Sequence, residues 1–241
     1  MSVSITRVRA IYHKELREYR RNIPIVVGMA AIALVFVFLP LIEFVAIPAE
    51  DVRALLSADP LAYMVGIPAI VPALVAAYAV VGERQQGTLE PVLTTPIRRE
   101  ELVLAKALAA FVPSVAIAYA VYAFVLAFLE LFAQPAVASA LIRGPDLLAQ
   151  LLFTPLLAAL SIWIAIAIST RTSDPRTAQQ LGVLGGFPAI AVANFISFGV
   201  IHPTLGLVVG LGALLLLLDV VGWRIVSATF DRERLTAGTR S

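Results

Sequence analysis

The sequence is 241 residues long, 60% of its residues are apolar and 14% are charged, and its mean hydropathy is +0.93. This composition lies far from that of soluble domains and indicates a single integral membrane domain. The formal net charge of +2 is too small to indicate nucleic acid as a partner. Cysteine is absent, which excludes disulfides, thiolate metal sites and a cysteine nucleophile.

The N-terminal segment, residues 1–21, is basic and amphipathic. Apolar side chains recur every three or four residues from Val8 to Tyr19, and six Lys and Arg residues occupy most of the remaining helix surface. The pattern predicts an amphipathic helix on the membrane face, with an ordinary solvated helix as the alternative. The apolar stretch that follows is too long for a secretory signal and is predicted to remain as a membrane helix.

Long apolar stretches fill most of the remaining sequence. A hydrocarbon core of about 30 Å is crossed by about 20 helical residues, and the last stretch, 177–218, is twice that length. It contains Gly199, His202 and Pro203, where a tight turn would divide it into two helices. The predicted fold is therefore an all-α integral membrane protein with six transmembrane helices, at about 22–42, 61–82, 107–129, 147–170, 178–201 and 204–223.

The distribution of Lys and Arg predicts the orientation of these helices. Six lie in the N-terminal segment, four in the 83–106 loop, two in the 171–176 loop and four in the tail, 224–241. Only Arg53 and Arg143 fall on the other side. Because basic residues accumulate on the cytoplasmic side of membrane proteins, both termini and the 83–106 loop are predicted to be cytoplasmic.

The 83–106 loop, between the second and third predicted helices, is too polar to span a membrane. Leu89, Val92 and Leu93 would form one apolar face of a short helix, which Pro96 would end. Such a helix can dock into a groove on a cytoplasmic partner. An ordinary polar loop is the alternative.

This loop resembles the cytoplasmic loop of ABC-2 type permeases, the membrane-spanning subunits of ATP-binding cassette transporters. Their loop reads Glu-Arg-Glu-x-Gly-Thr-Leu-Glu-x-Leu-Leu, followed by Pro, a hydrophobic residue, Ser or Thr, Arg, any residue, Glu and, a few residues on, Gly-Lys. The matching residues are Glu83, Arg84, Gly87, Thr88, Leu89, Glu90, Leu93, Pro96, Arg99, Glu101 and Lys106. The departures are Gln85, Pro91, Arg98 and Ala105.

The resemblance implies that residues 83–106 form a coupling helix, which transmits ATP-driven closure of a cytoplasmic ABC ATPase subunit to the membrane helices. It further implies a second permease copy or paralogue, membrane lipids as surroundings, a location in the cytoplasmic (plasma) membrane, and export rather than import. ATP and Mg would be bound by the partner subunit, so no cofactor is expected in this chain.

No motif of catalysis or metal binding accompanies the loop. The phosphate-binding Gly-x-x-x-x-Gly-Lys-Ser/Thr pattern, His-Glu-x-x-His and Gly-x-Ser-x-Gly are all missing from the sequence. The chain is therefore expected to be a transport subunit, not an enzyme, with no catalytic residue and no metal site.

Few polar residues fall within the predicted membrane helices. Asn194 and Ser197, one helical turn apart, can line a substrate path or form an interhelical hydrogen bond. Glu43, Glu130 and Asp219 fall near predicted helix ends, as interfacial residues do, although buried acids can also serve transport.

Two alternative functions stay open from the sequence. An ion-coupled secondary carrier would need a coupling site inside the membrane, and a membrane anchor would recruit a cytoplasmic protein without moving a solute. The Gly206-x-x-x-Gly210 pattern predicts close packing of the last helix on a neighbouring helix, including one of a second permease.

Overall fold

The structure is a computed structural model that describes residues 4–45, 61–78, 81–82, 98–172, 174–198, 200 and 204–229. Across these residues the secondary structure is helical, with no strand. The helices are α1 (Ile5–Arg21), α2 (Ile23–Val45), a 3-10 turn (Ala62–Val65), α3 (Gly66–Ala76), α4 (Arg99–Phe132), α5 (Pro135–Leu141), α6 (Gly144–Ser169), α7 (Pro175–Leu184), α8 (Phe187–Ser197) and α9 (Leu205–Thr229). The all-helical fold class is therefore confirmed.

The predicted amphipathic segment corresponds to α1. Val8, Ile11 and Tyr19 are buried on one side, where α1 packs against α4. Extended backbone at Asn22 ends the helix, and α2 begins at the next residue. A single non-helical residue thus separates the basic helix from the first long apolar helix. That α1 lies on a membrane surface stays a prediction.

Within the described residues, four helices are long and apolar enough to cross a membrane: Ile23–Ile42, Glu100–Phe132, Gly144–Ser169 and Leu205–Ala228. They fall within α2, α4, α6 and α9 and coincide with four of the six predicted spans. The 33 residues of Glu100–Phe132 extend over roughly 50 Å, well beyond a core of about 30 Å. The polar start of α4 therefore has room to lie outside the hydrocarbon region.

Among the described residues, neither of the other two predicted spans forms one long helix. Residues 62–76 form a short apolar helix with Pro72 inside it. Where one helix was predicted over 178–201, α7 and α8 are separated by a turn at Gly185 and Gly186. A Cβ on Gly186 would lie 2.9 Å from the carbonyl oxygen of Ala69, so this turn approaches α3 more closely than a side chain allows. The count of six spans stays a prediction.

Helix α6 lies at the centre of the bundle, where it packs against α3, α4, α7 and α9. One buried apolar cluster joins α1, α3, α4 and α6 at the end of the bundle that carries α1. A second cluster joins the 3-10 turn, α3, α4 and α5 towards the other end. The 83–106 loop therefore emerges from the end that carries α1.

Candidate coupling site at the base of the 83–106 loop

The structure describes the two ends of the predicted coupling segment. Gly82 lies immediately before it, and Arg98 to Lys106 form its last part and the start of α4. The predicted partner-binding residues Glu83, Arg84, Gly87, Thr88, Leu89, Glu90, Leu93 and Pro96 lie outside the described residues. Arg99 begins α4, and nothing of its side chain is described. Glu101 and Lys106 are fully described.

Glu101 joins the start of α4 to the start of α1. Its carboxylate accepts a hydrogen bond from the backbone N–H of Arg98 at 3.1 Å, which caps the first turn of α4. The same carboxylate accepts from the backbone N–H of Ser4 at 2.8 Å and from Nη2 of Arg7 at 2.7 Å. The Glu101 side chain has no solvent exposure, and the Arg7 side chain is 40% exposed. Three donors from two chain segments therefore converge on one buried carboxylate.

Lys106 and Glu15 form a second link between the same helices. Nζ of Lys106 donates to Oε1 of Glu15 at 2.8 Å, and the two side chains are 1% and 3% exposed. Lys14 also reaches Glu15, at 3.4 Å, from the surface. A buried ion pair is costly to form, and the removal of one partner is more costly still because a charge is left unpaired. This pair therefore holds α1 against α4 in one register.

The electrostatics of Glu15 follow from these neighbours. Burial by itself would raise the pKa of the Glu15 carboxyl group, because a charge is disfavoured away from water. The ammonium groups of Lys106 and Lys14, and the hydrogen bonds they donate, outweigh burial and hold that pKa below its usual value. Glu15 is therefore ionised at neutral pH.

The chain that leads into the loop is attached to α6. The Ser169 hydroxyl, at the end of α6, donates to the carbonyl of Ala77 at 2.7 Å and accepts from the backbone N–H of Val81 at 3.2 Å. The side chains of Ala77 and Val81 pack on Ala178 of α7. One buried serine thus satisfies two backbone groups where α3 has ended.

A polar cavity of about 520 Å³ lies beside this attachment. Glu18, Tyr19 and Arg21 of α1 line one side, and Tyr78 and Gly82 line the other. The base of the loop is therefore bounded by α1 and α4 on one side and by α6 and α7 on the other.

The sequence model of the family described as ABC-2 family transporter protein matches residues 9–221, which is most of the chain. The chain belongs to the ABC-2 transporter family. It is a membrane-embedded, multi-pass permease of the ABC transporter class, and association with an ABC ATPase subunit is general in that family. A comparison with curated proteins finds no match.

The structure describes the side chain of one of the two residues predicted to line a substrate path in this ABC-2 permease, Asn194. Nδ2 of Asn194 donates to the carbonyl of Ile190, one turn earlier in α8, at 2.8 Å. The amide is thus bonded within its own helix. Nothing of the Ser197 side chain is described, so its part in a substrate path stays a prediction.

Of the three acids near predicted helix ends, Asp219 has a different environment from the one expected. It is only 9% exposed and lies in α9 beside Trp163 of α6, whereas Glu130 is exposed. The Glu43 side chain lies outside the described residues. From its position in the sequence, Asp219 was expected near the end of a span, as interfacial residues are. In the structure the packing of α9 on α6 buries its side chain.

The sequence also missed the partners of Glu101 and Lys106. Both matched the family motif, but nothing in the motif points to Glu15, Arg7 or Ser4, which are more than ninety residues away. One signal was present: Glu15 lies among the buried apolar positions of α1, where an acid needs a partner. Groups of three or more His, Asp or Glu suited to a metal do not occur within the described ranges.

Proposed function

We propose that this chain is the membrane-spanning subunit of an ATP-driven exporter whose ATP is hydrolysed by a separate cytoplasmic ABC ATPase, with residues 83–106 as the coupling element. One observation carries the proposal beyond family membership. The base of that segment is held by buried charged contacts, through Glu101 and Lys106, to α1. A loop that served only as a connection would not need them.

The contacts support a mechanical role for α1 and α4 together. Movement of the coupling segment would pull on Arg98 and Glu101, and Glu101 is bonded to Ser4 and Arg7. The Lys106 pair lies five residues further along α4 and makes a second attachment to α1. With a single attachment α1 could rotate about that point. With two attachments it cannot, so α1 and α4 would move as a unit.

Transmission to the rest of the bundle would use α6. Ser169 links the chain before the loop to the end of α6, and α6 packs against α3, α4, α7 and α9. A displacement at the loop would therefore reach most of the described membrane helices. Two discrete arrangements of these helices, driven by ATPase closure, would give alternating access.

The remaining parts of the proposal concern the assembly. ATP and Mg would bind to the partner subunit, because the phosphate-binding motif is missing from this sequence. A second copy or a paralogue would complete the pathway. A Cβ built on Gly206 or Gly210 of α9 would have no atom of another described helix within 4 Å, which leaves that helix face open to another helix. The protein would lie in the plasma membrane, with both termini on the cytoplasmic side.

The decisive experiment is co-purification. The chain is co-expressed with a cytoplasmic ABC ATPase encoded beside it and purified through a tag on the permease. We expect the ATPase to be retained by the wild type and lost from the Gly87→Asp, Glu90→Lys variant. The matched control is Gly144→Asp, Glu130→Lys, which makes the same charge changes at two exposed residues on the predicted outer side. The proposal would be contradicted if both variants retained the ATPase equally. It would also be contradicted if neither the wild type nor either variant retained it.

A second variant tests transmission at the buried end of the coupling segment, where the Glu101 side chain has no exposed surface to offer a partner. Glu101→Gln removes the charge on which Ser4, Arg7 and Arg98 converge. We expect the ATPase to bind as before while its stimulation by the permease falls several-fold. Glu100→Gln, at the exposed neighbouring position, is the control and should change neither quantity. Unchanged stimulation in Glu101→Gln would remove the α1 contacts from the mechanism.

One observation favours a second candidate function, an ion-coupled secondary carrier. Asp219 is a buried acid on a membrane-spanning helix, and such groups often bind protons or cations during transport. The carrier hypothesis expects solute uptake that persists without ATP and is abolished by Asp219→Asn. The ABC-2 proposal expects transport that requires ATP.

A further inference from the structure

An apolar groove of about 360 Å³ lies between α1, α2 and α4. Ala30 and Ala33 of α2 and Pro113 and Ile117 of α4 form its walls, and Leu16 of α1 lies at its mouth. Of the described residues that line it, Arg20 alone is charged. The groove is therefore apolar along its length and basic at one end.

A basic cavity of about 490 Å³ adjoins the mouth of the groove. His13, Arg17 and Arg21 line it together with Leu16 and Arg20, so two residues line both cavities and the cavities lie next to each other. The three arginines are exposed, and the ion pairs seen in the described part of the chain do not include them. Their positive charges are therefore available to an anion.

The groove covers most of the depth of one leaflet of a bilayer. From Val26 to Ala33, the first and last residues of α2 that line the groove, the helix rises roughly 10 Å, against about 15 Å for half of a 30 Å hydrocarbon core. Ala33 lies at the middle of the apolar span Ile23–Ile42. Because α2 begins two residues after Arg21, the basic cavity lies near the start of α2. An apolar chain in the groove would thus end near the bilayer midplane, with its polar end at the arginines.

We propose that this groove and the adjoining basic cavity form a binding site for one anionic phospholipid. The headgroup phosphate binds Arg17, Arg20 and Arg21, and one acyl chain lies between α2 and α4. Basic clusters at the cytoplasmic ends of membrane helices attract anionic headgroups in this way. A free phosphate would leave the groove unfilled, and a cytoplasmic protein could not follow it to that depth. The bound lipid would hold α1 against the membrane surface, beside the Lys106 pair.

The first test uses the wild-type permease and needs no variant. The protein is purified in detergent, stripped of lipid, and given phosphatidylglycerol or phosphatidylcholine in equal amounts, and the lipids that remain bound are counted by native mass spectrometry. We expect one phosphatidylglycerol to be retained at concentrations where phosphatidylcholine is not. Equal retention of the two lipids would overturn the proposal.

Two pairs of variants locate the site. Arg17→Gln, Arg20→Gln, Arg21→Gln should weaken phosphatidylglycerol binding roughly 100-fold, at about fivefold per basic residue. The control, Arg171→Gln, Arg176→Gln, Arg224→Gln, removes the same charge from three other exposed arginines and should have little effect.

The second pair of variants tests the groove. Ala30→Trp, which fills the groove, should abolish lipid binding, and Ala31→Trp, at an exposed residue outside it, should not. Equal losses within either pair would overturn the site.

Competition separates the lipid from other anions and partners. Inorganic phosphate and glycerol phosphate should fail to displace phosphatidylglycerol at concentrations well above that of the lipid, because neither fills the groove. Full displacement by phosphate would identify a simple anion site. If the arginine variant kept its lipid and lost a co-purified ATPase, the cluster would be a protein contact and the proposal would be wrong.

Discussion

Helices α1 and α9 lie at opposite ends of the described chain, and they pack against the central helices through different kinds of contact. The α1 interface with α4 contains buried charge, at Glu15, Glu101 and Lys106. The α9 interface with α6 contains one buried acid, Asp219, and is otherwise apolar, with Gly212 close to Leu152 and Gly222 close to Trp163; no ion pair joins the two helices among the described residues. Ion pairs and hydrogen bonds specify one register, whereas apolar packing tolerates small sliding. The contrast indicates that α1 is fixed to α4, and that α9 is freer to shift on α6.

The largest expected effect is at the buried ion pair. Lys106→Met leaves the Glu15 carboxylate buried without its main partner and should lower the free energy of unfolding by about 3–5 kcal/mol. Lys14→Met removes a half-exposed partner of the same carboxylate and should cost about 1 kcal/mol or less. Thermal unfolding of both variants in the same detergent measures the difference. Equal melting temperatures would show that the buried pair does not hold α1.

A smaller effect is expected at the turn between α7 and α8. Gly186→Ala places a methyl group against the backbone oxygen of Ala69 and should destabilise the fold by about 1–3 kcal/mol. Gly206→Ala is the control, since nothing lies within 4 Å of its new Cβ. A chemical denaturation series would compare the two. If Gly186→Ala were as stable as the control, α3 and the turn would not be in close contact.

Acidification should weaken the α1 interface more gradually. The pKa of Glu15 is lower in the fold than its ordinary value of 4.5, so its contribution to stability is fully present above that value and is lost as pH falls through the lowered pKa. The melting temperature of the wild type should therefore drop below about pH 4.5 more steeply than that of Glu15→Gln. Parallel pH profiles would contradict the link between Glu15 charge and stability.

The smallest expected effect on the fold is on the outer face of α9. Gly210→Leu adds a side chain whose Cβ has no atom of another described helix within 4 Å, so we expect a change in stability of about 0.5 kcal/mol or less. If a second permease packs there, the same variant should reduce association of differently tagged copies in a pull-down. Unchanged association would place the contact between permeases elsewhere on the surface.

Much of the architecture was predictable because hydropathy and length are local properties. The four long helices coincide with predicted spans, and the amphipathic pattern of residues 1–21 corresponds to α1. The break at Gly185 and Gly186 was not predicted, because glycine in an apolar stretch is common and only its contact with α3 requires it here. Helix α4 begins at Arg99, well before the predicted span at 107. The charged residues between these positions argue against a membrane span there, but they do not exclude a helix, so the span prediction could not show where the helix begins.

The sequence by itself determined the family, the membrane environment and the position of the candidate coupling segment, because each depends on composition or on residues that are neighbours in the chain. Tertiary structure decided which side chains hold that segment in place. Glu101 meets Arg7, and Lys106 meets Glu15, only because α1 packs on α4. The burial of Asp219 depends in the same way on α9 packing against α6. A buried charge must find its partner in space, and no local pattern records the distance between residues ninety positions apart.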